Sequence, residues 1–477
     1  MVIVGAGFAG MFMLHRLREL GVSARVYETG GGVGGTWYWN RYPGARCDVE
    51  SMQYSFSFSN ELEQEWEWSE RYSPQPEILE YANHVADRFD LRRDIQFNTR
   101  VASLTFDESK NLWHVKTDRN DEVIAQFCVM AVGCLSAANR PDFEGLDDFD
   151  GPIYHTGEWP PADVNLSGLR VGVIGTGSSA LQAMPILANQ ASSLTVFQRT
   201  PNYSVPAHNQ RLEPEYVASI KREYPALRAK ARARPTGFYF EFNTAPALEA
   251  TSEERQRQYE KLWARGGLPF LGAYGDLLFD KMANETIADF ARKKIRDIVK
   301  DPETADLLCP DNVFGCKRLC VDTDYYAVYN QPHVTLVDVS QKPIERFTRS
   351  GIVANGIEYE LDAVVCATGF AAMTGSFEKI EITGRDGLTL NEKWRAGPRA
   401  YLGLSTAGFP NLFMITGPGS PSVLASMIQA IEQHVDWIAD CIGHMRNVGA
   451  DTIEPKIDHE ADWVQHLNDV SKVSLRS

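Results

Sequence analysis

At 477 residues, with 44% hydrophobic and 23% charged residues, the chain is long enough for two or three domains with ample cores and is neither a disordered polymer nor a small stapled scaffold. A formal net charge of -16 disfavours general affinity for nucleic-acid phosphates or anionic membranes, so any anionic ligand must be held by local basic residues. No stretch reaches the roughly 20 consecutive apolar residues of a membrane span and no signal peptide is visible, which makes a cytoplasmic protein the expectation.

The chain opens on an apolar strand, Val2 to Val4, followed by Gly5-Ala6-Gly7-Phe8-Ala9-Gly10 and an amphipathic helix through Leu20. A second strand is predicted from Ala24 to Glu28, so the segment reads as a β-α-β unit with parallel strands. In Gly5-x-Gly7-x-x-Gly10 the first glycine permits a tight turn and the second lets backbone approach a pyrophosphate. The third lets helix and strand pack closely, while the helix N-terminus turns its N–H groups to the phosphates. Glu28, 18 residues after Gly10, ends the second strand, where a carboxylate accepts hydrogen bonds from the ribose hydroxyls of an unphosphorylated nucleotide, FAD or NAD.

A second unit begins at Arg170: strand Val171 to Ile174, then Gly175-Thr176-Gly177-Ser178-Ser179-Ala180, a helix to about Ala188, and a strand from Leu194 to Gln198. This strand runs into Arg199-Thr200 and not into an acid, and a cation there suits a 2'-phosphate. FAD is therefore assigned to the first unit and NADPH to the second, with Lys317 as a further phosphate partner.

Between 207 and 313 the pattern changes to long polar, helix-forming segments. Thr251 with Glu254 forms a capping box ahead of Arg255 to Ala264, and Ile287, Phe290, Ala291, Ile295 and Ile298 share one helical face until Asp301-Pro302 stops it. Strands resume at Val334 to Val337 and at Ala363 to Ala367, the latter entering Thr368-Gly369-Phe370. The eight cysteines (47, 128, 134, 309, 316, 320, 366 and 441) show no zinc spacing; Cys316-x-x-x-Cys320 admits a redox pair, but reduced thiols are the better reading, and no metal site is expected. The expected fold is α/β, with two Rossmann-like dinucleotide-binding domains and a helical insertion. The FAD domain takes residues 1–145 and 372–477, the NADP domain 146–206 and 314–371, and the insertion 207–313.

Two segments carry a family resemblance. Phe149-x-Gly151-x-x-x-His155-x-x-x-Trp159-Pro160 resembles the fingerprint of the Baeyer-Villiger monooxygenases. The run from Gly34 and Gly35 through Thr36-Trp37-Tyr38-Trp39, Pro43-Gly44 and Arg46-Cys47-Asp48 resembles the same family's glycine, tryptophan, proline-glycine and aspartate pattern. The likeness extends over Phe197 to Pro201, Gly315 to Arg318 and Gly417-Pro418-Gly419-Ser420-Pro421, and is closest to the phenylacetone monooxygenase branch. It implies insertion of one oxygen atom of O2 beside a ketone carbonyl through a C4a-peroxyflavin, giving an ester or lactone at the cost of one NADPH.

By that resemblance Glu28, Thr36, Trp37, Tyr38, Trp39, Asp48, Tyr54 and Val101 contact FAD. Thr176 to Gln182 (including Gly177, Ser178, Ser179 and Ala180), Arg199, Thr200 and Lys317 contact NADPH, with Arg46, Cys47 and Asp48 near its nicotinamide. Arg318 is the expected catalytic residue, because a guanidinium stays charged and stabilises negative charge as it develops, with Asp48 holding it in place. Ser422, Val423, Leu424 and Met427 are expected to line the substrate pocket; of the motif residues Phe149, Gly151, His155 and Trp159, the last two are expected to shape domain contacts and cofactor movement without touching substrate. The partners implied are a ketone and O2, without nucleic acid or membrane, and a monomer is favoured.

Two other readings remain: a nitrogen- or sulfur-oxygenating flavin monooxygenase, against which Trp159 speaks because such enzymes usually carry another aromatic there, and a non-catalytic NADPH and FAD redox sensor. The chain departs from the family pattern in its short lead before the first strand and in stopping soon after Trp463 to Val473, where members usually continue to a tryptophan that covers the cofactors. A chain truly ending there is expected to couple NADPH oxidation to oxygenation less well.

Overall fold

The apolar run Val2–Val4 is buried along its whole length, as a strand flanked on both sides in a parallel sheet must be. In the computed structural model, which describes residues 1–476 with the side chain of Ser422 outside the described set, it lies at the centre of a five-stranded sheet. The order is Leu412–Met414, Cys128–Met130, Val2–Val4, Arg25–Tyr27 and Ile95–Gln96, all parallel. A second all-parallel sheet repeats the plan around Arg170–Ile174: Val334–Asp338, Ser193–Gln198, Arg170–Ile174, Ala363–Cys366, Ile153–His155. Each central strand feeds a glycine turn and a helix, Phe8–Glu19 in the first sheet and Ser178–Gln190 in the second.

The first sheet thus draws its strands from 2–130 and 412–414, the second from 153–366. The two connections between them run side by side: Asn139 donates to the Gly369 carbonyl, Ala371 to the Ala137 carbonyl, and Ala138 bridges Phe370.

The polar stretch after the second unit folds into helices Pro214–Arg232, Ser252–Arg265, Lys281–Ile298 and Pro302–Leu308. Thr251 and Glu254 form the anticipated capping box. Asp301-Pro302 does more than end a helix: Asp301 accepts from the Thr304 amide at 2.8 Å and caps the next one, whose first turn needs no N–H from proline. A buried ion pair, Arg228 to Glu63 at 2.8 Å, ties Pro214–Arg232 to the segment that follows the first unit.

Besides the parallel pair Ser204–Pro206 and Cys320–Asp322, two small sheets lie outside the expectation. One pairs Val101–Asp107, Leu112–Thr117 and Glu122–Ala125 antiparallel, with Glu381–Thr383 added in parallel. The other is the meander Arg346–Thr348, Gly351–Ala354, Ile357–Glu360. Among the described residues no helix is long and apolar enough to cross a membrane.

Candidate functional site

The two glycine turns are built alike. Gly5 has φ +103 and Gly175 φ +107, and a Cβ on either would stand 2.6 Å from the carbonyl oxygen of the residue leaving the neighbouring strand, Ala131 or Ala367. A Cβ on Gly10 would lie 1.9 Å from the Gly5 carbonyl oxygen, so only glycine lets the helix approach its own strand so closely. At the second glycine the space is open: a Cβ on Gly177 meets nothing within 4 Å, and on Gly7 only the Gly35 backbone, from 3.4 Å. Bare amides at a helix N-terminus, facing open space, fit a pyrophosphate at each turn.

Around the first turn, both Glu28 oxygens accept backbone amides at 2.7 Å, from Ala6 and Gly30, and each retains a lone pair for a ribose hydroxyl. Burial raises the Glu28 pKa against the lowering effect of those amides. Val101 starts its strand just after Thr99, whose amide donates to the Glu28 carbonyl. Thr36–Trp39 forms one helical turn. Trp37 is buried and donates from its indole to the Tyr54 hydroxyl at 3.0 Å, Tyr38 accepts from the Gly31 amide, and Trp39 is exposed.

From there the chain crosses to the second unit. The Tyr42 hydroxyl donates to Gln182 Oε1 at 2.8 Å, Gln182 Nε2 returns a bond to the Arg46 carbonyl at 3.0 Å, and a Cβ on Gly44 would stand 2.2 Å from the Gln182 carbonyl oxygen. Tyr42 also meets Ser179, and Ala180 is buried beneath. The Arg46 guanidinium points away to Glu70 and the Tyr72 carbonyl. Thr176 donates to the Thr200 carbonyl at 2.8 Å, while Arg199 and Lys317 are exposed cations with no ion-pair partner among the described residues, free to meet a phosphate.

The crossing segment ends at Asp48. Its carboxylate takes two bonds from Arg318, Nε to Oδ2 at 2.9 Å and Nη2 to Oδ1 at 2.8 Å, and Arg318 Nη1 donates to the Val423 carbonyl. Arg318 precedes Cys320, whose Sγ lies 3.3 Å from the Ser178 hydroxyl at the second turn. The fork therefore sits where segments from both glycine turns and the 417–427 loop converge. Burial opposes the Arg318 charge, but the attraction of Asp48 and its two hydrogen bonds outweigh it and hold the pKa above the usual arginine value. Burial also pushes the Cys47 thiol well up and that of Cys320 to about 11, so neither is a thiolate at neutral pH.

Comparison with known proteins places this frame in a family. A family profile described as pyridine nucleotide-disulphide oxidoreductase matches residues 2–234. A Baeyer-Villiger monooxygenase of Pseudooceanicola batsensis is 43% identical over 99% of this chain and 87% of its own length. The chain belongs to the type I Baeyer-Villiger monooxygenase family. Its fold superposes on a solved oxidised steroid monooxygenase bound to NADP with a TM-score of 0.97 and 53% identity, covering 100% of this chain and 91% of that one. A phenazine N-monooxygenase of Lysobacter antibioticus is 42% identical over 99% of this chain and 88% of its own. As a Baeyer-Villiger monooxygenase the protein is an FAD-containing, NADPH-dependent oxidoreductase.

The family fingerprint packs on the second sheet and its connections, with Trp159 in the apolar cluster that also holds Tyr42 and Ala45. Phe149 is buried with its ring 6.1 Å from that of Phe347, Gly151 packs under the Asp362 carbonyl, and Trp159 is buried beside Tyr154. His155 Nδ1 accepts from the Gly157 amide at 3.0 Å, and its Nε2 meets the Thr368 hydroxyl at 3.1 Å. That hydroxyl in turn donates to the Asn139 carbonyl, so the ring braces the two connections between the sheets. Of the loop residues, Val423 meets Arg318 through its carbonyl, Leu424 is 43% exposed, Met427 begins the helix Met427–Val448, and the Ser422 side chain lies outside the described residues. Sequence reasoning missed the anchors of this loop: the Ser426 amide donates to the Thr236 carbonyl at 2.8 Å, and the Thr416 amide to His434 Nδ1 at 3.0 Å. The Gly-Pro-Ser composition marks the loop but carries no signal of what holds it.

Proposed function

We infer that this Baeyer-Villiger monooxygenase inserts an oxygen atom beside the carbonyl of a ketone bound next to the Arg318 guanidinium, where it meets the 417–427 loop. Bound FAD and NADPH supply the redox chemistry that activates O2. The chain's own residues do the rest. The two turns bind the pyrophosphates, with residues 1–145 and 372–477 serving FAD and 146–206 and 314–371 serving NADPH. Glu28 takes the ribose of FAD, and Arg199 with Lys317 the 2'-phosphate of NADPH. Asp48 orients Arg318 so that a permanent positive charge faces the carbonyl oxygen on which negative charge develops. The buried Trp37, bonded to the half-buried Tyr54, keeps water from that side of the site.

The observation that carries this reading is the Arg318–Asp48 fork at the meeting point of the two turns and the loop. A second reading, N-oxygenation, has the support of the phenazine N-monooxygenase relative. The FAD-loaded protein, given NADPH and O2 with aromatic, cyclic and steroidal ketones, a sulfide and a phenazine, should yield esters or lactones detected by mass. N-oxide or sulfoxide alone, with no ester from any ketone, would replace the reading with the second one.

A further inference from the structure

The loop that delivers the Val423 carbonyl to Arg318 leaves the first sheet at an unusual residue. The Ile415 amide still follows the ladder, donating to the Met130 carbonyl at 3.1 Å, but Thr416 turns to φ +52. A β-branched residue reaches this left-handed region only at a cost of about tenfold or more in population relative to ordinary backbone, so something in the surroundings must hold it there. Its amide, turned out of the ladder, donates to His434 Nδ1 at 3.0 Å, and both residues are buried, at 4% and 7% exposure. An amide so enclosed needs a protein partner, and this imidazole is the one it has.

An Nδ1 that accepts places the ring proton on Nε2 and leaves the ring neutral. Burial favours the same state, drawing the His434 pKa down to about 4. His434 stands on the helix Met427–Val448, whose N-cap is Ser426, itself bonded through its amide to Thr236. One helix thus grips both ends of the loop, its exit at Ser426 and its entry at Thr416. Between these points the loop makes its own bonds, Gly417 amide to Gly403 carbonyl and Ser420 hydroxyl to Gly417 carbonyl, and presents the Val423 carbonyl to Arg318.

We propose that His434 is a positioning residue for the oxygenation: by holding Thr416 in its left-handed turn it sets the 417–426 loop, and through the Val423 carbonyl the placement of Arg318 against the ketone. This rests on the function inferred above for the loop and Arg318. The hydrogen bond of His434 goes to the loop and to no residue of either glycine turn, so its loss should leave reduction by NADPH intact and alter ketone binding and the fraction of NADPH that ends as ester.

The test uses the FAD-loaded full chain as wild type, His434→Ala, His434→Asn, Thr416→Gly and the Thr416→Gly/His434→Ala double variant. Hydrogen exchange of the 415–426 segment, measured without ketone, reads the anchor independently of turnover. His434→Ala should speed exchange at Thr416 by about tenfold, the order expected for loss of one buried hydrogen bond. It should also raise the KM for ketone and lower ester formed per NADPH, with an unchanged stopped-flow reduction rate. Asparagine, whose Oδ1 offers an acceptor at the same branch position, should restore much of both. Glycine at 416 adopts the turn without help and should soften the effect of His434→Ala, a coupling that a merely destabilising substitution would not show. Unchanged Thr416 exchange in His434→Ala would overturn the anchor. Faster exchange with wild-type KM and ester yield, or equal loss from His434→Ala with threonine or glycine at 416, would overturn the positioning role. A wild type that makes no ester from any ketone would instead overturn the underlying function, leaving the exchange result to decide the anchor alone.

Discussion

Replacing Arg318 by alanine removes three hydrogen bonds at once, two to Asp48 at 2.8 and 2.9 Å and one to the Val423 carbonyl. Stability and rate should respond differently. The two charged side chains keep 22% and 24% exposure, so the penalty of about 3–5 kcal/mol for breaking a fully buried pair does not apply. Water reaching Asp48 limits the loss to about 1–2 kcal/mol. Catalysis has no such relief, because a preorganised donor aimed at developing negative charge contributes roughly 3–4 kcal/mol, about a hundred- to a thousandfold in rate. Arg318→Ala should therefore stay folded, retain FAD and accept electrons from NADPH, yet form ester at least about a hundredfold more slowly while NADPH oxidation continues. Arg318→Lys should fall between, since an ammonium keeps the charge but cannot span both Asp48 oxygens and the loop carbonyl. The assay follows NADPH by absorbance, ester by mass-coupled chromatography and hydrogen peroxide as the uncoupled product. Ester at wild-type yield from Arg318→Ala would remove the guanidinium from the reaction and leave the fork a structural clamp.

Arg199 is exposed beside the second turn, with no ion-pair partner among the described residues, so Arg199→Ala should weaken NADPH by about 1.5–3 kcal/mol, the value of one charged hydrogen bond, and barely touch NADH. Equal losses in the two Michaelis constants would contradict its assignment to the 2'-phosphate. Asp322 is buried at 7% exposure and its pKa is raised from 3.8 to about 6, first by burial, against bonds from the Ser204 hydroxyl and the Tyr325 amide. Between about 4 and 6 the folded state holds a proton that the unfolded chain has released, so this group lowers stability as pH rises through that window, by roughly 3 kcal/mol at most. Asp322→Asn should remove that slope, gaining relative to wild type as pH rises from 4 to 7; parallel denaturation profiles for the two proteins would show that Asp322 does not titrate so.

The two glycine turns were legible because their requirements are local. Gly10 must lack a side chain to pass within reach of the Gly5 carbonyl, and Glu28 must end a strand, whatever the rest of the chain does. The capping box at Thr251 is equally local. The small antiparallel sheets were legible only in part: Asn355-Gly356 is a strong hairpin signal between Gly351–Ala354 and Ile357–Glu360, whereas Asn111 and Asn120 turn with positive φ without a glycine to announce it. The sequence likewise named Arg318, Asp48 and Val423, which lie far apart along the chain, as members of a family pattern, with Asp48 expected to hold Arg318 but with no account of the bond from Arg318 to Val423.

What the order of residues determined by itself was the pair of nucleotide-binding units and the charge each offers its ligand, since spacing and residue type suffice for both. Only the tertiary structure decided that Gln182 would bind the segment running from the first turn, that the fork of Asp48 onto Arg318 would stand against the 417–427 loop, and that Val423 would meet it through its carbonyl. It alone set Thr416 in a left-handed turn against His434. The physical reason is that these are contacts of backbone groups and of residues up to 270 positions apart, and neither periodicity nor composition records which amide or carbonyl a fold will leave in need of a partner.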